Sequence, residues 1–101
     1  MLIDVGGTLN LAADITVSGN WTNNGTFNNN GFKVTFDGAS NQTIGGSNPS
    51  AFATLAISNT GASGNNTVSL AQSISDTALN VTSGIFDQGA SSQPRQRRNH
   101  D

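Results

Sequence analysis

Residues 15 to 36 read ITVSGNWTNNGTFNNNGFKVTF, and this stretch decides the fold. Ile15 and Val17 share one face of an extended chain; Phe32, Val34 and Phe36 do the same, with Lys33 and Thr35 between them. Alternation with a period of two marks a strand with one face buried. Ser18-Gly19-Asn20, Asn23-Asn24-Gly25 and Asn28-Asn29-Asn30-Gly31 interrupt the alternating runs. Asn and Gly tolerate positive φ, so these interruptions are turns. The stretch therefore predicts strand, turn, a very short strand at Phe27, turn, and strand.

The same theme runs outward in both directions. Toward the N-terminus, Leu9 and Leu11 alternate within 8–12, and Leu2, Ile3 and Val5 form a strand remnant closed by Gly6-Gly7. Toward the C-terminus, short strands are predicted at 42–44, 52–58, 67–70, 79–81 and 85–86, with turns or loops at 37–38, 45–50 and 59–66. Phe27, Phe32, Val34, Phe36, Leu55, Ile57, Leu79 and Phe86 are the expected core; Lys33 and Thr35 are expected to face solvent. No segment carries a sustained 3.6-residue period, and Gly, Asn and Thr are poor helix formers, so no α-helix is expected.

Composition points to a thin, repetitive core. Of 101 residues only 10% are charged, the net charge is -2, and Val, Ile, Leu and Phe make up only about a fifth. So little apolar material with so little charge fits a β-solenoid, which needs few apolar residues per coil. There is no cysteine, so stacked backbone and side-chain ladders must replace disulfide staples. Sliding the chain by 59 residues pairs Thr8 with Thr67, Leu11 with Leu70, Ile15 with Ile74, Gly25 with Gly84 and Phe27 with Phe86. That offset suggests a repeat of three coils of roughly 20 residues each. The expected fold is all-β: a right-handed parallel β-helix of roughly four rungs over residues 1–89. Residues 90–101 hold Pro94, Arg95, Arg97, Arg98 and His100, with no large apolar side chain, and are expected to form a disordered tail.

The runs VSGNWTNNGTF, KVTFDG, NQTIGG, TLAISNTG and LNVTSGIFDQG resemble a recurring segment of large secreted bacterial surface proteins of the adhesin-like and autotransporter-like kind. The resemblance covers about residues 9–89 and rests on residues that mark coils and turns. It implies a right-handed parallel β-helix, an extracellular or cell-surface location and a structural role.

No chemistry-bearing constellation emerges. Asp4, Asp14, Asp37, Asp76, Asp87 and Asp101 are scattered, and several sit at strand ends where Asp commonly caps turns. A glycosidase or lyase would need paired carboxylates, and a serine nucleophile would need a histidine; His100, the only one, lies in the tail. Gly45-Gly46-Ser47-Asn48 lacks the Asp of a calcium β-roll. No catalytic residue, metal or cofactor is therefore expected, and no enzyme. The Arg cluster stands in a chain of negative net charge without interleaved aromatics, so no nucleic-acid partner is expected. No apolar run reaches membrane-spanning length, and residues 1–5 lack the pattern of a signal peptide.

Two functional readings remain. The first is a non-enzymatic extracellular scaffold whose partner is itself: copies stacked head to tail into a filament, or neighbouring coils of a longer rod. Strand-like sequence at both ends motivates it, because open edges template further strands. The alternative is a carbohydrate-binding module that grips glycans through Trp21, Asn23 and Asn24 together with surface Asn and Thr. An exposed indole can stack on a sugar ring, but a Trp packed in the core is the ordinary competing role. Asn-x-Ser/Thr sequons begin at Asn20, Asn24, Asn41, Asn65 and Asn80, little more than this composition yields by chance.

Overall fold

The computed structural model describes residues 1–87, which form eleven strands and no helix. The strands are β1 (Leu2–Ile3), β2 (Thr8–Asn10), β3 (Ile15–Val17), β4 (Trp21–Asn23), β5 (Thr26–Asn28), β6 (Lys33–Phe36), β7 (Gln42–Gly45), β8 (Ser50–Ser58), β9 (Thr67–Leu70), β10 (Ile74–Ser83) and β11 (Ile85–Asp87). Every strand pairing is parallel. The chain winds as a β-solenoid of about four turns. One side is the sheet β1-β4-β7-β9-β11, a second is β2-β5, and a third is β3-β6-β8-β10. The tail expected at 90–101 lies outside the described residues.

The coil changes shape along its axis, for a reason that lies in the turn residues. The first two coils have three sides (β1, β2, β3, then β4, β5, β6). Apart from the corner at 11–14, their corners fall at turns that contain Gly or Asn. Asn30 and Gly31 bend the chain with φ of 52° and 86°. The next two coils carry no glycine within SAFATLAIS or ISDTALNVTS, and the one asparagine there, Asn80, stays in the extended strand; their second and third sides run together as β8 and β10, of 9 and 10 residues. Only the later half of β10 alternates plainly in the sequence. Its first residues extend because β8 offers a ladder, pairing Ile74 with Ser50 and Asp76 with Phe52.

This change of shape removes the expected three-coil repeat. The step from coil to coil is 18 residues at Thr8–Thr26, 19 at Ile15–Val34, 23 at Trp21–Ile44 and 26 at Gln42–Val68. Ile15 is followed in its column by Val34, Leu55 and Leu79, whereas Ile74 stands beside Ser50. Thr8 and Thr67, and Phe27 and Phe86, lie on different sides. A mean near 20 residues per coil survives, but loops of unequal length abolish a fixed period.

The core is a set of columns that run parallel to the axis. Ile15, Val34, Leu55 and Leu79 form one, and Val17, Phe36, Ile57 and Val81 another. Seven of the eight expected core residues are buried; Phe32, just before β6, is half-buried at the edge of the core. Lys33 is exposed and Thr35 half-buried, as alternation requires. Gly46 shows how tightly the coils approach. Its φ is +115°, and a Cβ there would collide with the backbone nitrogen and oxygen of Asn23 one coil below.

Candidate functional site

Trp21 is wholly buried in the second coil. Its ring meets Phe27 edge-on at 4.8 Å between centroids, with Phe52 at 5.3 Å and Phe36 at 6.0 Å. Edge-to-face and tilted contacts are the favoured arrangements for such rings. The indole Nε1 donates to Ser50 Oγ at 3.0 Å, so the polar atom of the indole is satisfied inside the core. No face of the ring is left for a sugar. Asn23 is buried beside it; its Nδ2 donates to the Pro49 carbonyl at 3.1 Å and to Ser50 Oγ at 3.2 Å. Asn24 is half-buried, and its Oδ1 accepts the Ser47 backbone N–H at 2.9 Å. The glycan contact expected at Trp21, Asn23 and Asn24 is thereby corrected. All three are engaged within the solenoid, because alternation from Asn23 puts Trp21 and Asn23 on the same inward face of β4.

Most of the asparagine in this chain braces one coil against the next. Asn20 Oδ1 accepts the Thr43 N–H, and Asn41 Oδ1 accepts the Thr67 N–H, both just before strands of the first side. Asn28 Nδ2 donates to Asn10 Oδ1 at 2.7 Å, Asn30 Nδ2 to the Leu11 carbonyl, and Asn48 Nδ2 to the Gly25 carbonyl. At corners the backbone ladder breaks, and these amides supply the missing donors and acceptors. Three corners share one device: Asn23, Asn29 and Asn59 each accept, through Oδ1, the N–H of the glycine two residues on. That Asn-x-Gly spacing is visible in the sequence and could have placed these side chains.

Gln42 is the buried polar hub that the sequence reading passed over. Its Nε2 donates to the Val17 carbonyl at 2.9 Å and the Gly19 carbonyl at 2.7 Å. Its Oε1 accepts the Gly38 N–H at 2.9 Å and Asn59 Nδ2 at 3.2 Å. All four hydrogen-bonding positions of the amide are filled, across three coils. The available signal was parity: Gln42 lies two residues before Ile44 in β7, so an inward Ile44 forces an inward Gln42. Gln42→Ala should cost about 2–4 kcal/mol, because buried partners lose their bonds. Gln42→Glu should cost at least as much despite its similar shape, since a carboxylate cannot donate to the Val17 and Gly19 carbonyls. Urea unfolding checks both; a Glu variant as stable as the wild type would overturn the assignment.

The aspartates are likewise local. Asp14 Oδ1 accepts the Lys33 N–H at 2.8 Å, and Asp37 Oδ1 accepts the Ser18 hydroxyl at 3.0 Å. Among the described residues no group of three or more His, Cys, Asp or Glu could hold a metal ion, and no helix is long and apolar enough to cross a membrane. The surface feature that remains is the pair of solenoid ends. Met1, Leu2 and Val5 are the exposed large hydrophobic residues among those described, at 43%, 59% and 81%, and all belong to the first coil. The fold and these ends define a β-solenoid block. No family model matches the chain, and no curated protein or solved structure matches it.

Proposed function

We propose that the chain is a structural, non-enzymatic block of an extracellular or cell-surface β-solenoid rod, of the adhesin-like kind that its repeat segment resembles. The observation that carries this reading is the confinement, among the described residues, of exposed large hydrophobic residues to the first coil, where Met1, Leu2 and Val5 stand in or beside the outermost strand β1. Apolar surface gathered at a sheet edge is what an adjoining coil would cover. The dimensions support it. Strands lie about 4.8 Å apart, so five stacked strands span only about 19 Å. The molecule measures 37 × 26 × 22 Å, wider across the coil than along the stack. Its two ends are thus a large share of its surface.

Location is the testable part. Antibodies raised against this module should label intact source cells, and electron microscopy should place the label on thin projections beyond the cell envelope. Labelling that appears only after permeabilisation would overturn the reading.

A further inference from the structure

Asparagine or aspartate stands immediately before glycine at three places: Asn24-Gly25, Asn30-Gly31 and Asp37-Gly38. Asparagine is chemically labile, and most so in such a link, because glycine has no side chain to obstruct its own nitrogen. That nitrogen loses its proton to hydroxide and closes on the side-chain carbonyl carbon of the residue before it. An N–C bond forms, the bond from that carbon to the side-chain nitrogen breaks, and a proton returned to the departing nitrogen releases ammonia; aspartate releases water instead. Water then opens the cyclic imide to aspartate or isoaspartate. In this fold both partners of the reaction are held at all three links. The Gly25 N–H donates to Asn23 Oδ1 at 3.0 Å, the Gly31 N–H to Asn29 Oδ1 at 2.9 Å and the Gly38 N–H to Gln42 Oε1 at 2.9 Å. The side chains open to attack are tied to a neighbouring coil. Asn24 Oδ1 accepts the Ser47 N–H at 2.9 Å, Asn30 Nδ2 donates to the Leu11 carbonyl at 3.0 Å, and Asp37 Oδ1 accepts the Ser18 hydroxyl at 3.0 Å.

We infer that Asn30 is a latent deamidation site and that Asn29 is the lock that keeps it unmodified in the folded solenoid. Cyclisation requires the Gly31 nitrogen to give up its proton and turn onto the Asn30 side chain, and a hydrogen bond through that N–H opposes both. The three links are not equally sheltered. Gly38 is buried, and half-buried Gly25 has the Gly7 and Asp4 carbonyl oxygens where a Cβ would stand, so packing alone restrains them. Asn30 and Gly31 are exposed, and nothing lies within 4 Å of the Cβ position of Gly31. What holds that corner is Asn29, whose carbonyl accepts the Phe32 N–H at 3.0 Å while its Oδ1 accepts the Gly31 N–H, together with the tie from Asn30 to Leu11. Modification would set a carboxylate oxygen where Asn30 now donates to the Leu11 carbonyl, and isoaspartate would add Cβ to the main chain of the corner between β5 and β6. Either change loosens the second coil from the first. The inference rests on corner geometry and stands apart from cell-surface location, which the labelling experiment tests separately.

The test ages the full chain in mildly alkaline buffer and follows Asn24, Asn30 and Asp37 by peptide mapping with mass spectrometry, with the urea-unfolded chain as the unprotected reference. Folded wild type should deamidate at Asn30 at least about tenfold more slowly than the unfolded chain, and Asn29→Ala should recover about tenfold of rate at Asn30 alone. Asn29→Gln, whose longer side chain does not close the two-residue ring onto Gly31, should accelerate Asn30 likewise and carries the test if the alanine variant is unfolded. Asn29→Asp separates the lock from the brace. It keeps an acceptor for the Gly31 N–H but loses the Nδ2 bond to the Ala51 carbonyl, and it should stay close to the wild-type rate. Folded Asn29→Ala and Asn29→Gln proteins that deamidate as slowly as the wild type would overturn the inference. So would an Asn29→Asp protein as fast as Asn29→Ala, or acceleration at Asn24 equal to that at Asn30, because general loosening of the coil would then account for the rates.

Discussion

Replacing Val34 with Asp should leave the chain unfolded at room temperature. Val34 is fully buried in β6, an inner strand of its sheet, with Ile15 beside it on one coil and Leu55 on the next. A carboxylate there has apolar neighbours above, below and inward, and no cation in its column. Burying it costs several kcal/mol, and the lost valine packing adds about 1–3 more. A domain of this size has about 5–15 kcal/mol of stability in total, so the sum removes most or all of it. Far-UV circular dichroism and amide chemical-shift dispersion should show loss of the sheet. Val34→Ala, which only empties space, should stay folded with a lower urea midpoint. A Val34→Asp protein that melts like the wild type would place Val34 outside the core. Lys33 is the contrast: the residue next to Val34 on the same strand, it faces outward and is exposed, and a charge is carried there without burial.

The contrast also marks where the sequence was legible. Period-two alternation located the core columns, because an inward residue flanked by outward ones leaves a pattern in one strand alone. Val34 and Phe36 in β6, and Leu55 and Ile57 in β8, are found that way. The β-solenoid itself followed from turn residues recurring every few positions with little charge. Coil shape was not legible. Whether a chain bends at 53–54 or runs straight through depends on the strand beneath it, and β8 and β10 lie straight only because they lie together. The length of the loop at 59–66 likewise shifts every later register, so a constant offset of 59 could not hold. The polar interior was missed because Asn and Gln are surface residues by habit. Here Asn23, Gln42 and Asn59 are buried, since each meets a corner where backbone groups have lost their ladder partners.

Trp21→Ala should be the most damaging truncation in the chain and should have no bearing on any glycan. The indole touches Phe27, Phe36 and Phe52, and Phe52 also meets Phe27 and Phe36, so removing it opens a cavity at the junction of the second and third coils. Large aromatic truncations cost about 3–5 kcal/mol, more where neighbours cannot collapse inward. Collapse is hindered here, because the inter-coil ladder fixes the strand spacing at about 4.8 Å. The Nε1 bond to Ser50 is lost as well, although Ser50 Oγ keeps Asn23 Nδ2 as a donor. Trp21→Phe should recover most of the stability, since a ring returns to the cluster and only the hydrogen bond and part of the volume are missing. Urea midpoints at unchanged m-value report the order wild type, Phe, Ala. Trp21 is the only tryptophan, so intrinsic fluorescence reads this site alone. Its emission should be blue-shifted, resist quenching by iodide and stay constant as oligosaccharides are added. A red-shifted, readily quenched indole whose spectrum moves with sugar would put Trp21 on the surface and return the glycan-binding role to it.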